Sequence, residues 1–429
     1  MRCFKIYELD KVLSLLSERK TSNYELENKV REILKNVREH GDEYIEKMTR
    51  KFDCPTFSID DIQVEQKEID DAINKVDKEH IDIFKQAIEN VRRFHEQQKQ
   101  RSWIDNRNND IILGQLINPV EKVGLYVPAG KGGSTPLVST LIMNAVPAQI
   151  AGVKELIVVS PPSKENRINP YILATARLLN IDKIFKIGSA WAVGALAYGT
   201  KKVPKVDMVV GPGNIFVTIA KKLLIGEIGI DMIAGPSEIV VIADDKAKPH
   251  WVAADLLSQA EHDEYACSIL ITPSDELIEQ VKKELLKQVN TLPRKDIVEK
   301  SLEKWGCIIK TKSIEDAIYV ANEIAPEHLE LHVENPWEYI SLIKNAGCVF
   351  LGSYTPEPVG DYFAGPNHVL PTTATARFSS GLSVETFYKK TNLICASKKY
   401  TLNNAQKIST MAMIEGLEAH AKSVTIRLE

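Results

Sequence analysis

Residues 230–244 read Ile230-Asp-Met-Ile-Ala-Gly-Pro-Ser-Glu-Ile-Val-Val-Ile-Ala-Asp244, a glycine-proline turn followed by a run of aliphatic residues. The run predicts a buried strand, and the turn places Ser237 directly before it. The stretch Asp255-Leu-Leu-Ser-Gln-Ala-Glu-His262 then predicts a helix that ends on Gln259 and His262. Because residues three apart share one helix face, these two side chains can offer two donors to one divalent ion.

The alternation of strand and helix around this stretch also occurs earlier in the chain. Short apolar segments that end in Gly or Pro, each followed by a helical pattern, start at 123–128 and start again at 238–244. Strands rich in Val and Ile that alternate with helices are typical of parallel sheets covered on both faces. The pattern predicts an α/β protein with two Rossmann-like lobes and a cleft between them. Further strands are predicted at 155–161, 183–189, 206–213, 267–273, 306–312, 328–333 and 346–352.

The two ends of the chain differ from this pattern. Up to about residue 103 the sequence is charged and helical, with Thr21-Ser22 as a predicted cap, and 401–422 predicts a helical tail. We therefore expect four parts. They are a helical N-terminal segment at 1–27, a first α/β lobe built from 28–119 with 237–378, a second α/β lobe at 120–236, and a C-terminal tail at 379–429.

Composition limits the class of protein. A chain of 429 residues with 44% hydrophobic content is long enough for two or three cores. The net charge of −4 is spread along the chain, so no basic stripe predicts a nucleic-acid partner. The six cysteines form no CxxC pair, which argues against a thiolate metal site or a disulfide framework. The chain starts without the apolar core of a signal peptide, and the apolar tract at 136–153 contains polar residues, so we expect a cytoplasmic protein without a membrane span.

Two glycine-rich turns follow predicted strands, where α/β proteins place their ligands. In the loop at 128–136 the glycines either allow backbone amides to approach an anion or simply form a tight turn, and both roles stay open. Gly211-Pro-Gly-Asn214 is the second turn, with Asn214 placed to cap a helix or to reach a ligand. No G-x-G-x-x-G motif follows a strand, so the residues themselves do not predict a dinucleotide bound in the usual Rossmann manner.

Spacing alone favours structural roles for most of the titratable residues. Glu327-His328 is the strongest pair, because two neighbours at a strand end can border one cleft as two bases of different pKa. Asp361 lies in a glycine-flanked loop, and the sequence around it is equally compatible with an ordinary turn residue and with a functional carboxylate.

The stretches at 230–262, 326–331, 360–368 and 415–420 together resemble the histidinol dehydrogenase family. The resemblance implies a zinc ion held by Gln259, His262, Asp361 and His420. It also implies a substrate site in which these ligands are joined by Ser237, His328 and Glu415, with His368 in the same neighbourhood. Glu415 and His420 are about 140° apart on a regular helix, so they share one ligand only if the helix loosens near Gly416 or if each side chain reaches round.

The activity implied is oxidation of L-histidinol to L-histidine through histidinaldehyde, with two NAD molecules. In this mechanism His328 accepts the alcohol proton, and Glu327 activates water in the aldehyde half. The resemblance also implies a homodimer in which the tail of one subunit completes the site of the other.

The resemblance further implies NAD contacts at Tyr126, Asn214 and position 191. The family usually carries glutamine at position 191, whereas this chain has Trp191. Indole has one N–H donor and no acceptor, so Trp191 either stacks on a ring of NAD or only fills space. Because the indole cannot repeat both hydrogen bonds of an amide, we expect weak or altered NAD binding, and Trp191→Gln should lower the Michaelis constant for NAD.

Two alternative functions remain. One is a related zinc dehydrogenase that acts on a different amino or sulfonated alcohol. The other is a zinc hydrolase, since a metal and Glu327 can activate water without a nicotinamide.

Overall fold

The computed structural model describes residues 1–20, 24–107, 110–130 and 133–428. The predicted cap Thr21-Ser22, and Lys131 and Gly132 of the glycine-rich loop, lie outside these ranges. The strands are β1 (Arg2–Lys5), β2 (Trp103–Asp105), β3 (Ile111–Pro119), β4 (Lys122–Tyr126), β5 (Glu155–Ser160), β6 (Lys183–Lys186), β7 (Met208–Val210), β8 (Gly229–Ile230), β9 (Glu238–Ala243), β10 (Cys267–Thr272), β11 (Cys307–Lys310), β12 (His328–His332), β13 (Cys348–Leu351) and β14 (Tyr388–Ala396). The helices are α1 (Leu9–Ser17), α2 (Tyr24–Phe52), α3 (Gln66–Ala72), α4 (Lys78–Glu96), α5 (Val138–Ala151), α6 (Pro170–Leu178), α7 (Ser189–Tyr198), α8 (Ile215–Leu223), α9 (Pro249–Ala260), α10 (Asp275–Val289), α11 (Lys295–Lys304), α12 (Ile314–Ile324), α13 (Glu357–Val359), α14 (Lys398–Ile414) and α15 (Glu418–Thr425).

Two parallel sheets form the framework, and the predicted fold class is confirmed. One sheet has six strands in the order β1-β11-β10-β9-β12-β13, and the other has five in the order β6-β5-β4-β7-β8. Every residue of β9 and β10 is buried, as expected for central strands covered on both faces. In the five-stranded sheet the order reverses between β4 and β7, and the carboxyl ends of strands at such a point form a ligand crevice.

The packing of the N-terminal helices corrects the predicted division of the chain. Residues 28–119 were expected to join 237–378, but the apolar stripes of α2 and α4 are buried against the five-stranded sheet and its helices. A Cβ added to Gly194 of α7 would lie 3.1 Å from the Leu34 side chain of α2, so the two helices pack closely here. The helices within 120–236 do not cover all of the apolar surface around this sheet. Helices α2 to α4 cover the remainder.

The first residues also differ from the helical prediction. Arg2–Lys5 form β1, which pairs in parallel with β11 at the edge of the six-stranded sheet, and α1 packs on the same sheet. The N-terminal segment therefore belongs to the lobe of residues 237–378.

The tail contains a strand in addition to the predicted helices. β14 pairs antiparallel with β3 along nine residues, and β2 completes this three-stranded sheet. The helical pattern breaks at Gly416, which has φ +75° and separates α14 from α15, so the helix does loosen where the sequence analysis required it. Among the described ranges, no helix combines the length and the apolar content that a bilayer span requires.

Candidate active site

A cavity of about 250 Å³ lies between the two sheets. The five-stranded lobe contributes the switch-point turn and the start of α5, and the six-stranded lobe contributes most of the polar side chains. The predicted cleft is therefore present. Its polar lining comprises Ser139, Thr140, Lys221, Asp231, Ser237, Gln259, His262, Glu327, His328, Glu357, Asp361, Tyr362, His368 and Thr372.

Helix α9 brings Gln259 and His262 to this cavity. The helix ends at Ala260, and the His262 N–H donates to the Gln259 carbonyl at 3.3 Å, so the turn that follows keeps the two residues together. Gln259 is 0% exposed, and neither polar atom of its amide has a hydrogen-bond partner in the described part of the chain. His262 lies at the rim, where the surrounding protein lowers the pKa of its imidazole by desolvation. A fully buried amide without partners is costly unless a ligand pairs with it.

The backbone of β9 fixes Glu327 and His328 at the start of β12. The Glu238 N–H donates to Glu327 Oε2 at 2.9 Å, and His328 Nδ1 lies 3.0 Å from the Glu238 carbonyl. Because a carbonyl only accepts, His328 carries its proton on Nδ1 when neutral, and Nε2 is left without a partner and 3.7 Å from Asp361 Oδ1. The predicted pair of bases thus borders one cavity.

Burial and neighbouring charges separate these two residues electrostatically. Desolvation raises the pKa of Glu327 to about 7, even though His328 acts to lower it. For His328, desolvation acts against the charge, but Glu327 and Asp361 outweigh it and raise the pKa to about 10. Burial dominates the pKa of Glu327, whereas neighbouring carboxylates dominate the pKa of His328. Two groups with different pKa values can serve as an acid and a base.

A short helix carries Asp361 and a carboxylate that the sequence analysis missed. Glu357 begins α13, Asp361 lies in the single π-helical turn that follows, and ligand atoms of His328, Glu357 and Asp361 lie within 4.8 Å of one another. Burial, and to a smaller extent the charge of Asp361, raises the pKa of Glu357 to about 8. Burial opposes ionisation of Asp361 as well, but its interaction with the nearby His328 outweighs burial and lowers the pKa of Asp361. The sequence signal that could have identified Glu357 is its position about one helical turn before Asp361.

Ser237 and His368 line the same cavity. His368 Nδ1 lies 3.0 Å from the Asp361 carbonyl, and desolvation lowers the pKa of its imidazole. The imidazole therefore stays neutral near Asp361.

On the other side of the cleft, β4 and β7 end at the switch point. A Cβ on Gly211 would lie 2.3 Å from the Tyr126 carbonyl, so only glycine allows this approach of the two strand ends. The Tyr126 hydroxyl accepts the Ser189 N–H at 2.9 Å, and Asn214 Oδ1 caps α8. The turn at Gly211 is also held by a buried ion pair that the sequence analysis missed, formed by Lys221 and Asp231.

Trp191 lies behind this surface. Its side chain is 4% exposed within the core under α2, and its ring stacks on Phe52 with centroids 5.7 Å apart. The indole N–H has no partner among the described residues. Of the two roles left open for Trp191, this burial favours packing.

The two predicted site residues on the tail lie apart from the others. Glu415 and His420 are exposed, and neither lines the cavity. Within one chain, the structure brings together Ser237, Gln259, His262, Glu327, His328, Asp361 and His368, and it leaves Glu415 and His420 on the tail.

The donors in the cavity fit a zinc ion. An imidazole, a carboxylate and an amide oxygen are ligands that zinc accepts, and the unpartnered Gln259 amide supplies one of them inside a buried wall. The described residues around the cavity therefore offer donors of three suitable types from one chain.

Known proteins match this chain along nearly its full length. The family model described as "Histidinol dehydrogenase" matches residues 16–428. A histidinol dehydrogenase of Oleidesulfovibrio alaskensis is 51% identical over 417 residues, covering 97% of this chain and 96% of that protein. One of Halalkalibacterium halodurans is 48% identical over 425 residues, covering 99% of each. The crystal structure of histidinol dehydrogenase from Elizabethkingia anophelis has a TM-score of 0.92 at 38% identity and covers 100% of this chain and 98% of that one. The chain therefore belongs to the histidinol dehydrogenase family and is an oxidoreductase that oxidises histidinol.

Proposed function

We propose that the cavity binds zinc through Gln259, His262 and Asp361 and that His420 of a second copy is the fourth protein ligand. The observation that carries the proposal is the Gln259 amide, which is fully buried, lines the same cavity as His262 and Asp361, and has no partner in the described chain. Zinc bound there would act as a Lewis acid that orients histidinol, polarises its alcohol oxygen and offsets the carboxylate charge that raises the pKa of His328.

In this proposal His328 accepts the proton of the alcohol. Its Nδ1 is tied to the Glu238 carbonyl, so Nε2 is the atom available on the cavity side. A fixed tautomer keeps the lone pair in one position, which is what a proton acceptor requires. NAD supplies the hydride acceptor in both halves of the reaction.

Glu327 then takes a proton from the water that attacks the aldehyde. The Glu238 N–H holds one carboxylate oxygen, and a pKa of about 7 places this base near neutral pH. The product of this half is histidine, so the proposed overall reaction is oxidation of L-histidinol to L-histidine.

NAD is proposed to bind at the switch point, beside Tyr126 and Asn214. The buried Tyr126 oxygen accepts the Ser189 N–H, so its own O–H can donate to a ligand only if the ligand reaches this position at the end of β4. Asn214 uses Oδ1 as the cap of α8, which leaves its side-chain N–H groups for the same purpose. Trp191 contributes by packing behind this surface.

The exposed apolar residues of the tail support an active site shared between two chains. Exposed apolar side chains lie on α14 and on the three-stranded sheet to which the tail belongs, including Ile104 (67% exposed), Ile394 (74%) and Ile414 (81%). Large apolar side chains exposed on one tail and on the sheet that it joins support a protein interface at this face. We therefore propose a homodimer in which the tail brings Glu415 and His420 to the cavity of the partner.

One assay tests the proposal against its alternatives. Zinc-loaded enzyme given L-histidinol and NAD should form two NADH per histidine, followed by absorbance and by amino-acid analysis. A turnover that releases no NADH would indicate a hydrolase. NADH formation with another amino or sulfonated alcohol but not with histidinol would indicate the related dehydrogenase.

A further inference from the structure

We propose that Asp255, Glu330 and His332 form a buried hydrogen-bonded cluster that positions the elements carrying the zinc ligands. We name these three residues the buried cluster. This inference rests on the proposed zinc site, and it assigns positioning roles to three residues that do not line the cavity.

The buried cluster is a compact polar group inside the six-stranded lobe. His332 Nε2 lies 3.1 Å from Asp255 Oδ2 and 3.2 Å from Glu330 Oε2. The exposed fractions are 8% for Asp255, 0% for Glu330 and 1% for His332. One imidazole thus faces two buried carboxylates, and without it these carboxylates would face each other.

Asp255 and Glu330 connect the buried cluster to elements that carry residues of the proposed site. Asp255 lies on α9 one turn before Gln259, and Glu330 lies on β12 two residues after His328. The other oxygen of Glu330 accepts the Glu357 N–H at 2.7 Å, at the start of the segment that carries Asp361.

The buried cluster therefore fixes α9, β12 and the Asp361 segment relative to one another. The Ser258 hydroxyl lies 3.4 Å from a Glu357 carboxylate oxygen and adds a second link between α9 and that segment. Groups behind metal ligands that hold them in place typically change metal affinity by about 10- to 100-fold when they are removed.

A metal-binding experiment separates positioning from plain stability. Zinc affinity of the full-length enzyme is measured by competition with a chromogenic chelator, alongside the melting temperature of the metal-free protein. In His332→Leu the bridging donor is lost, and we expect zinc affinity to fall by about 10- to 100-fold. In His332→Gln the amide N–H groups can still donate to both carboxylates, so we expect affinity within a few-fold of wild type.

Two further variants complete the design. Ser301→Ala removes a buried hydrogen bond to the Ala266 carbonyl in the same lobe, so it should lower stability and leave zinc affinity unchanged. Asp255→Asn keeps the side-chain shape and weakens the charged link to α9, so it tests the same claim if His332→Leu does not fold. We expect it to lower zinc affinity about tenfold.

The outcomes are distinct. If His332→Leu and Asp255→Asn lower the melting temperature but bind zinc as wild type does, the positioning role is overturned. Two zinc ions per wild-type chain would also overturn it, because the buried cluster would then be a metal site in its own right. A wild type that binds no zinc overturns the proposed function and removes this inference with it.

Discussion

The cavity residues and the tail residues of the proposed site are built in opposite ways. Gln259, Glu327 and His328 are buried and held by neighbouring strands and helices, whereas Glu415 and His420 are exposed on a tail with little buried surface. Folding of one chain is enough to fix the first group. The second group gains a fixed position only when the tail meets another surface.

The same contrast appears in the nonpolar residues. The cavity lies between cores whose strands are fully buried, while α14 buries only Ala405 and Ser409. A helix with so little buried surface has little to hold it in place within one chain. The difference indicates that the cavity is prearranged within one chain, and it is consistent with our proposal that the tail takes its position against a second copy.

Metal removal should have the largest effect. Chelation should reduce histidinol oxidation by about a thousandfold or more and leave the circular dichroism unchanged, because the cavity is a preformed cleft rather than a core organised by metal. His262→Asn should lower zinc occupancy in the same way. Full activity in protein shown to be free of zinc by elemental analysis would contradict the metal assignment.

The two bases should have separable effects within the cavity. We expect His328→Asn to slow both halves of the reaction by about 10²- to 10⁴-fold, and Glu327→Gln to slow mainly the aldehyde half, since only that half needs activated water. Supplying histidinaldehyde directly isolates that half. Equal losses in both halves for Glu327→Gln would show that the roles are assigned wrongly.

The pH dependence of the aldehyde half should report Glu327. Burial raises the pKa of this carboxyl to about 7, and a general base acts in its ionised form. The rate should therefore rise about tenfold per pH unit below that value and level off above it. Rates with histidinaldehyde and saturating NAD between about pH 5.5 and pH 8.5 test this. A profile that keeps the same rise in Glu327→Gln would assign the titration to another group.

Trp191 should show the smallest effect on catalysis. Because its indole is buried against Phe52, Trp191→Gln should destabilise the protein by roughly 2–4 kcal/mol. The Michaelis constant for NAD and the affinity for histidinol should change little. A severalfold lower constant for NAD at an unchanged melting temperature would instead show that an amide at this position contacts the cofactor.

The sequence predicted what local patterns encode. Runs of Val and Ile predicted the nine main strands of both parallel sheets, and two adjacent bases at the end of one strand predicted the pair Glu327 and His328. The sequence did not predict which sheet α2 to α4 cover, because an apolar stripe shows that a helix packs and not on what. Nor did it predict the contacts of Asp255 with His332 and of Glu357 with Glu330, since no spacing links residues that meet only through the fold.

We propose that the cavity of one chain is completed by the tail of another, and the activity of a mixed dimer distinguishes this arrangement from a site within one chain. His328→Asn inactivates the cavity and His420→Asn inactivates the tail, so each variant should be nearly inactive alone. A heterodimer purified with two different tags has one site with an intact cavity and an intact tail, and should regain about half of the wild-type activity per dimer. A heterodimer of two cavity variants, His328→Asn with Glu327→Gln, is the control and should stay inactive. Absence of recovery in the first heterodimer would show that each chain uses its own tail and would overturn the shared site.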